Sequence, residues 1–115
     1  MVKKPQDLEV TTNVKMRGGI GSIDIHHLAT KEEMIGKNRL FAKVIVKPGD
    51  SIGYHVHEDE MEAYCIIAGK GLYNDNGKEV EVQKGDVTIT PVGHGHSIVN
   101  TGEDVLEIIA LIPVA

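Results

Sequence analysis

The sequence predicts an all-β protein, a sandwich or barrel of short strands in a single domain. Three observations carry this. Apolar and β-branched runs recur with turn residues between them about every 8 to 12 positions. Helical periodicity is almost absent. A chain of 115 residues suits one domain spanning 1–115, whose core buries roughly two-thirds of the surface of the unfolded chain.

Residues 1–17 form an N-terminal arm in which LEVTTNV either pairs as an edge strand or frays. The glycines of RGGIGSIDIHH lead into an alternating strand, with Ile20, Ser22, Asp24 and His26 on one face and Ile23 and Ile25 on the other. Thr30 and Glu33 fit a capping box for one helical turn ending at Gly36. RLFAKVIV reads as a strand stopped by KPGD, where Pro precedes Gly as in a turn. SIGYHVH resumes the extended pattern, EDE breaks it, and MEAYCII starts the next strand, loosened near its end by Gly69 and Gly71. Asn76-Gly77 between LYND and KEVEV is a hairpin signal. VTITP, a loop through GHGH, SIVN and VLEIIALI complete about eight or nine strands. VKPGDSIG and VQKGDVTI each place Gly-Asp just before a strand, as two similar halves of a jelly roll would.

Composition excludes several classes of function. The net charge is -5, with no basic block, and three Tyr and one Phe are few for stacking on bases, so nucleic acid is not an expected partner. The longest apolar runs, AYCIIA and IIALIPVA, are too short to span a bilayer as helices, and MVKKPQDLEV has no apolar stretch behind its charges. A cytoplasmic protein is expected. Cys65 is the single cysteine and reads as a buried, inert thiol.

The chemistry concentrates in residues 49–100. Side chains two apart on a strand share a face, so His55 and His57 can reach one ion. Glu62 follows at a spacing that lets it return on the neighbouring strand, and His96 comes after a Pro-Gly loop that can bring it beside them. Three imidazoles and a carboxylate suit Mn, Fe, Co, Ni, Cu or Zn, with positions left for water or substrate. A lone His on a strand is more often solvated or hydrogen-bonded, which is the reading for His26 and His27 and the simpler one for His94. With six His in the chain, composition alone puts His at three specified positions with odds of about one in ten thousand, so the cluster is signal.

This stretch resembles the two sequence motifs of the cupin superfamily. The first, G(x)5HxH(x)4E(x)6G, is met by Gly49, His55, His57, Glu62 and Gly69; the second, G(x)5PxG(x)2H(x)3N, by Gly85, Pro91, Gly93, His96 and Asn100. Fifteen residues separate them, the short spacing of small microbial cupins, and the chain is similar to single-domain cupins described as oxalate-decarboxylase-like. The resemblance implies a conical double-stranded β-helix, or jelly-roll barrel, holding one divalent metal (Mn, Fe, Ni, Zn or Co) through His55, His57, Glu62 and His96. The glycines and Pro91 read as turn and strand-end scaffold, and Asn100 as a side chain tying a turn together.

Two functional readings stay open. One is a metal-dependent lyase, isomerase or oxygenase acting on a small carboxylate, enolate or sugar-like molecule, with Tyr64 or His94 as candidates to move a proton. The other is a non-catalytic module that binds or senses a small, anionic ligand through the same pocket; a structural barrel with an incidental metal site is a third class. Arg39 or Lys43 would add a contact to the ligand if either points inward, although both share a face with Phe41 and Ile45. Apolar residues on both faces of RLFAKVIV and EIIALI predict a homodimer, with LEVTTNV crossing to the partner as an edge strand.

Overall fold

A computed structural model describes residues 1–114. Ten strands build two facing antiparallel sheets: β1 (Glu9–Val14), β2 (Ser22–His27), β3 (Asn38–Val46), β4 (Ser51–Val56), β5 (Glu62–Ala68), β6 (Lys70–Asp75), β7 (Lys78–Gln83), β8 (Val87–Thr90), β9 (Gly95–Asn100) and β10 (Leu106–Pro113). The larger sheet has the order β1-β2-β3-β10-β5-β8 and the smaller β4-β9-β6-β7. This is a jelly roll, as expected.

Side-chain parity along each strand decides which residues fill the interior. Ile23 and Ile25 of β2, Ala42, Val44 and Val46 of β3, and Leu106, Ile108, Ala110 and Ile112 of β10 are all buried. Their odd or even partners form the outer face of the larger sheet. There Lys43, Ile109, Cys65 and Val87 lie in one row, and Phe41, Leu111, Ala63 and Ile89 in the next. Cys65 is therefore half-exposed rather than buried, because its parity on β5 opposes that of Glu62, Tyr64 and Ile66.

Several turns follow their residues closely. Asn76 and Gly77 have φ of 50° and 102°, the two positive values of a type I′ hairpin turn. Gly49 and Gly85, with φ of 82° and 97°, occupy equivalent turns, each closed by Asp N–H donating 3.0 Å to the carbonyl three residues earlier. The repeat noted in VKPGD and VQKGD is thus one of geometry. Thr30 and Glu33 form the reciprocal capping box over a single turn. Asn100 Nδ2 donates to the Val46 and Asp104 carbonyls, both at 2.8 Å, and ties two turns together.

Two features refine the linear reading. Gly69 does more than loosen a strand: the chain passes there from the larger sheet to the smaller, in a left-handed conformation with φ of 81°. The LEVTTNV segment, read as an edge strand or a frayed arm, is strand β1 at the edge of the larger sheet, paired with β2 of its own chain, Val10 opposite His26. The turn through Gly18, Gly19 and Gly21 is tight enough to return it, and Lys15 N–H donates 2.8 Å to the Gly21 carbonyl.

Candidate metal centre

Three strands deliver four donors to one end of the interior. His55 lies on β4 directly opposite His96 on β9, and Glu62 opens β5 opposite Thr90 of β8. His57 follows the last residue of β4 and is held in place by two backbone bonds, its N–H to the His94 carbonyl and its carbonyl from the Gly93 N–H. His96 is therefore a strand residue, not part of the loop before it.

A strict two-residue alternation would put Ile52 on the face opposite His55 and His57. All three point inward because the register slips between Ile52 and His55, where three positions of β4 span two of β9. This is a β-bulge. Gly53 sits in it, and a side chain there would collide with the Arg17 carbonyl. The bulge also turns the Gly53 carbonyl onto His55, 2.8 Å from Nδ1.

The four donor atoms lie within 4.8 Å of one another. His57 Nε2 and His96 Nε2 are 3.1 Å apart, His96 Nε2 and His55 Nε2 3.2 Å, and Glu62 Oε1 is 3.0 Å from both His57 Nε2 and His96 Nε2. Each ring turns its other nitrogen outward to a fixed partner. Because a carbonyl and a carboxylate only accept, His55 Nδ1–H donates to Gly53 and His57 Nδ1–H to Glu60 Oε1 at 3.2 Å. His96 Nδ1 lies 2.7 Å from Tyr73 Oη and 2.9 Å from Thr90 Oγ1. With Nδ1 protonated, Nε2 carries a bare lone pair. Several lone pairs and a carboxylate oxygen then face one another at about 3 Å, an arrangement a bound cation relieves. The donor set fits a divalent transition ion.

Outer partners extend this order. Arg39 Nε and a terminal Arg39 nitrogen donate to the two Glu60 oxygens at 2.7 and 2.6 Å, which holds the Glu60 carboxyl below its ordinary range. Arg39 thus reaches the site only through Glu60 and His57, and Lys43 instead faces Glu107 on the outside, 3.8 Å away. Neither supplies the inward contact considered from the sequence. Tyr64 stacks on His96, with ring centroids 5.0 Å apart, and burial pushes its phenol well above the ordinary value. His94 is exposed on the turn and contributes its backbone carbonyl. His55 is held below the ordinary imidazole value, first by burial and then by His96 and His57.

The Cupin domain family matches residues 42–112, which include all four donors. The chain belongs to the cupin family. It is 45% identical over 112 residues to an oxalate-binding protein of Thermotoga maritima, covering 97% of this chain and 93% of that one. It superposes with a TM-score of 0.94 and 43% identity, over the whole of both chains, on a crystal structure described as a predicted oxalate decarboxylase of Thermotoga maritima. The polyketide cyclase RemF of Streptomyces resistomycificus, at 18% identity and a TM-score of 0.79 over 100% of this chain and 81% of that one, shares the fold. Among the described residues no helix is long and apolar enough to cross a membrane.

Glu60, Tyr73 and Thr90 escaped the sequence reading because they touch the donors only in three dimensions. Glu60 was visible as part of the acidic break EDE, and its spacing of three from His57 was the one available signal.

Proposed function

We propose that this cupin holds one divalent transition ion through His55, His57, Glu62 and His96 and binds there a small dicarboxylate of the oxalate class. The observation that carries the reading is the convergence of four ligand-type atoms within 4.8 Å, with the outward nitrogens of all three rings engaged. An ion so held supplies positive charge and open positions for carboxylate oxygens. The protein's own contribution is to hold each ring by its outward nitrogen and to offer one balancing carboxylate. The identity to the oxalate-binding protein supports the ligand class.

Tyr64, the phenol stacked on a donor, keeps its proton because burial raises its pKa, so near neutral pH it can donate a proton but does not act as a base. Calorimetric titration of the metal-loaded protein with oxalate, malonate, acetate and a neutral diol tests the reading. Oxalate is expected to bind at least about tenfold more tightly than acetate, since two oxygens displace two waters. Equal affinities for acetate or the diol would defeat it, and formate released from oxalate would turn the reading to a lyase.

The functional unit is proposed to be a homodimer formed through the outer face of the larger sheet. Val87 and Ile89 there are 62% and 53% exposed, and they continue the rows of Ile109, Leu111, Phe41 and Cys65, a contiguous apolar band of the kind that meets a partner. Light scattering at micromolar concentration is expected to give twice the 12.5 kDa chain mass. A monomer mass there would contradict it.

A further inference from the structure

One donor, His57, lines an open cleft together with Arg17, Val56, Glu58, Asp59 and Glu60. Its charges are unequal in their freedom. Glu60 is committed to Arg39 through two bonds, and Glu58 and Asp59 are exposed to solvent. Arg17 is the sole cation of the lining, and among the described residues it enters no salt bridge.

Its position is built rather than incidental. Residues 15–19 make a short 3-10 turn, Met16–Gly18, that lies along β4. Gly19 and Gly53 permit that contact: a side chain at Gly53 would strike the Arg17 carbonyl, and one at Gly19 the Ser51 carbonyl. Met16 packs against the core from the same turn. Ile20 and Ser51 then bind each other twice, through backbone N–H of Ser51 to the Ile20 carbonyl and Ile20 N–H to Ser51 Oγ, both at 2.9 Å. Between these anchors Arg17 is held in the left-handed region, with φ of 55° and ψ of 30°, a conformation that is unfavourable for a residue with a side chain. The result is an arginine held on a fixed turn against β4, in the cleft that His57 also lines.

We propose that Arg17 is the anion-recognition residue of this site, its guanidinium taking the outward-facing oxygens of a small dicarboxylate, an assignment that rests on the dicarboxylate-binding reading above. A dicarboxylate that turns one oxygen of each carboxyl toward the donors leaves the other two side by side, pointing away from them. Guanidinium matches that pair with two parallel N–H donors, whereas an ammonium offers one point charge. A monocarboxylate cannot present the pair. Arg17 therefore confers selectivity for dianions more than general affinity for negative charge.

Calorimetric titration of the manganese-loaded wild type, Arg17→Gln and Arg17→Lys with oxalate and with acetate tests this. Arg17 is exposed, so both variants retain the fold. Arg17→Gln is expected to weaken oxalate about 10- to 100-fold, the range of a lost charge-assisted hydrogen bond, to change acetate by less than about threefold, and to leave manganese affinity unchanged; Arg17→Lys is expected to fall between. Oxalate affinity within about twofold of wild type in Arg17→Gln would overturn the assignment, as would an equal loss for acetate, which indicates a diffuse charge effect. A loaded wild type that binds neither anion would instead defeat the functional reading, and this assignment with it.

Discussion

Alanine in place of His57 is expected to weaken metal binding by about two to three orders of magnitude, and alanine in place of His27 to leave it unchanged. His57 supplies one of four donors, and sites of this size bind with roughly 10 kcal/mol or more in total, so one donor is worth several. Its Nε2 touches both His96 Nε2 and Glu62 Oε1 at 3.0 to 3.1 Å. His27 differs in place, not in chemistry: it ends β2 and bonds Thr11 Oγ1 at 3.1 Å near the sheet edge. Arg39→Met provides the graded case. It removes no donor but frees Glu60, and with it the carboxylate that orients His57, for an expected loss of about 10- to 100-fold. Competition with a chelating dye at pH 7.5 measures all three. Equal effects at His57 and His27 would show that the ion sits elsewhere.

The parts of this molecule that were legible in its sequence are those encoded locally. The alternation of SIDIHH sets Ile23 and Ile25 on one face, because a pleated strand has a side-chain period of two, whereas RLFAKVIV and VLEIIALI, apolar on both faces, were legible as strands without showing which face turns inward. Asn76-Gly77 and KPGD announce their turns for equally local reasons. The convergence of His55, His57, Glu62 and His96 was legible because its spacings are short and repeated in a family pattern. What stayed hidden depends on one segment meeting another. The Arg39–Glu60 pair spans 21 residues, and the passage between sheets at Gly69 is a matter of topology.

Gly53 is the instructive case between these extremes. A glycine inside a strand pattern is a recognised sign of a bulge or a close backbone approach, and here it marks both. Without the slip, the inward Ile52 and the inward histidines could not share a strand. The alternation His-Val-His was sufficient to place the donors on one face, but their parity against the rest of β4 needed the partner strand. The same glycine makes room for the turn that carries Arg17.

Acid is expected to abolish the stabilisation that metal confers. At neutral pH, with free ion about a thousandfold above its Kd, binding adds about 4 kcal/mol, or a rise in Tm of roughly 10 °C or more. The ion needs the imidazole lone pairs, so protons compete with it. For His55 the sign is set by burial, which holds its folded pKa below the ordinary 6.5. The unfolded chain then takes up that proton first. The contribution of His55 to metal-free stability is accordingly present above about 6.5, is lost as pH falls from there toward its lower folded value, and does not change further below it. Because the folded ring resists protonation, competition at His55 also begins below 6.5, and metal persists to a lower pH than a free imidazole would allow. Glu60, also depressed, here by Arg39, acts in a separate and lower window: its contribution is present above the ordinary carboxylate range and lost as pH falls through its folded value. Thermal scans from pH 8 to 4, with and without manganese, should show the metal-dependent rise in Tm full at pH 8, shrinking below about 6 and gone near 5. A rise that stays constant across that range would mean that the ion is not held by imidazole lone pairs.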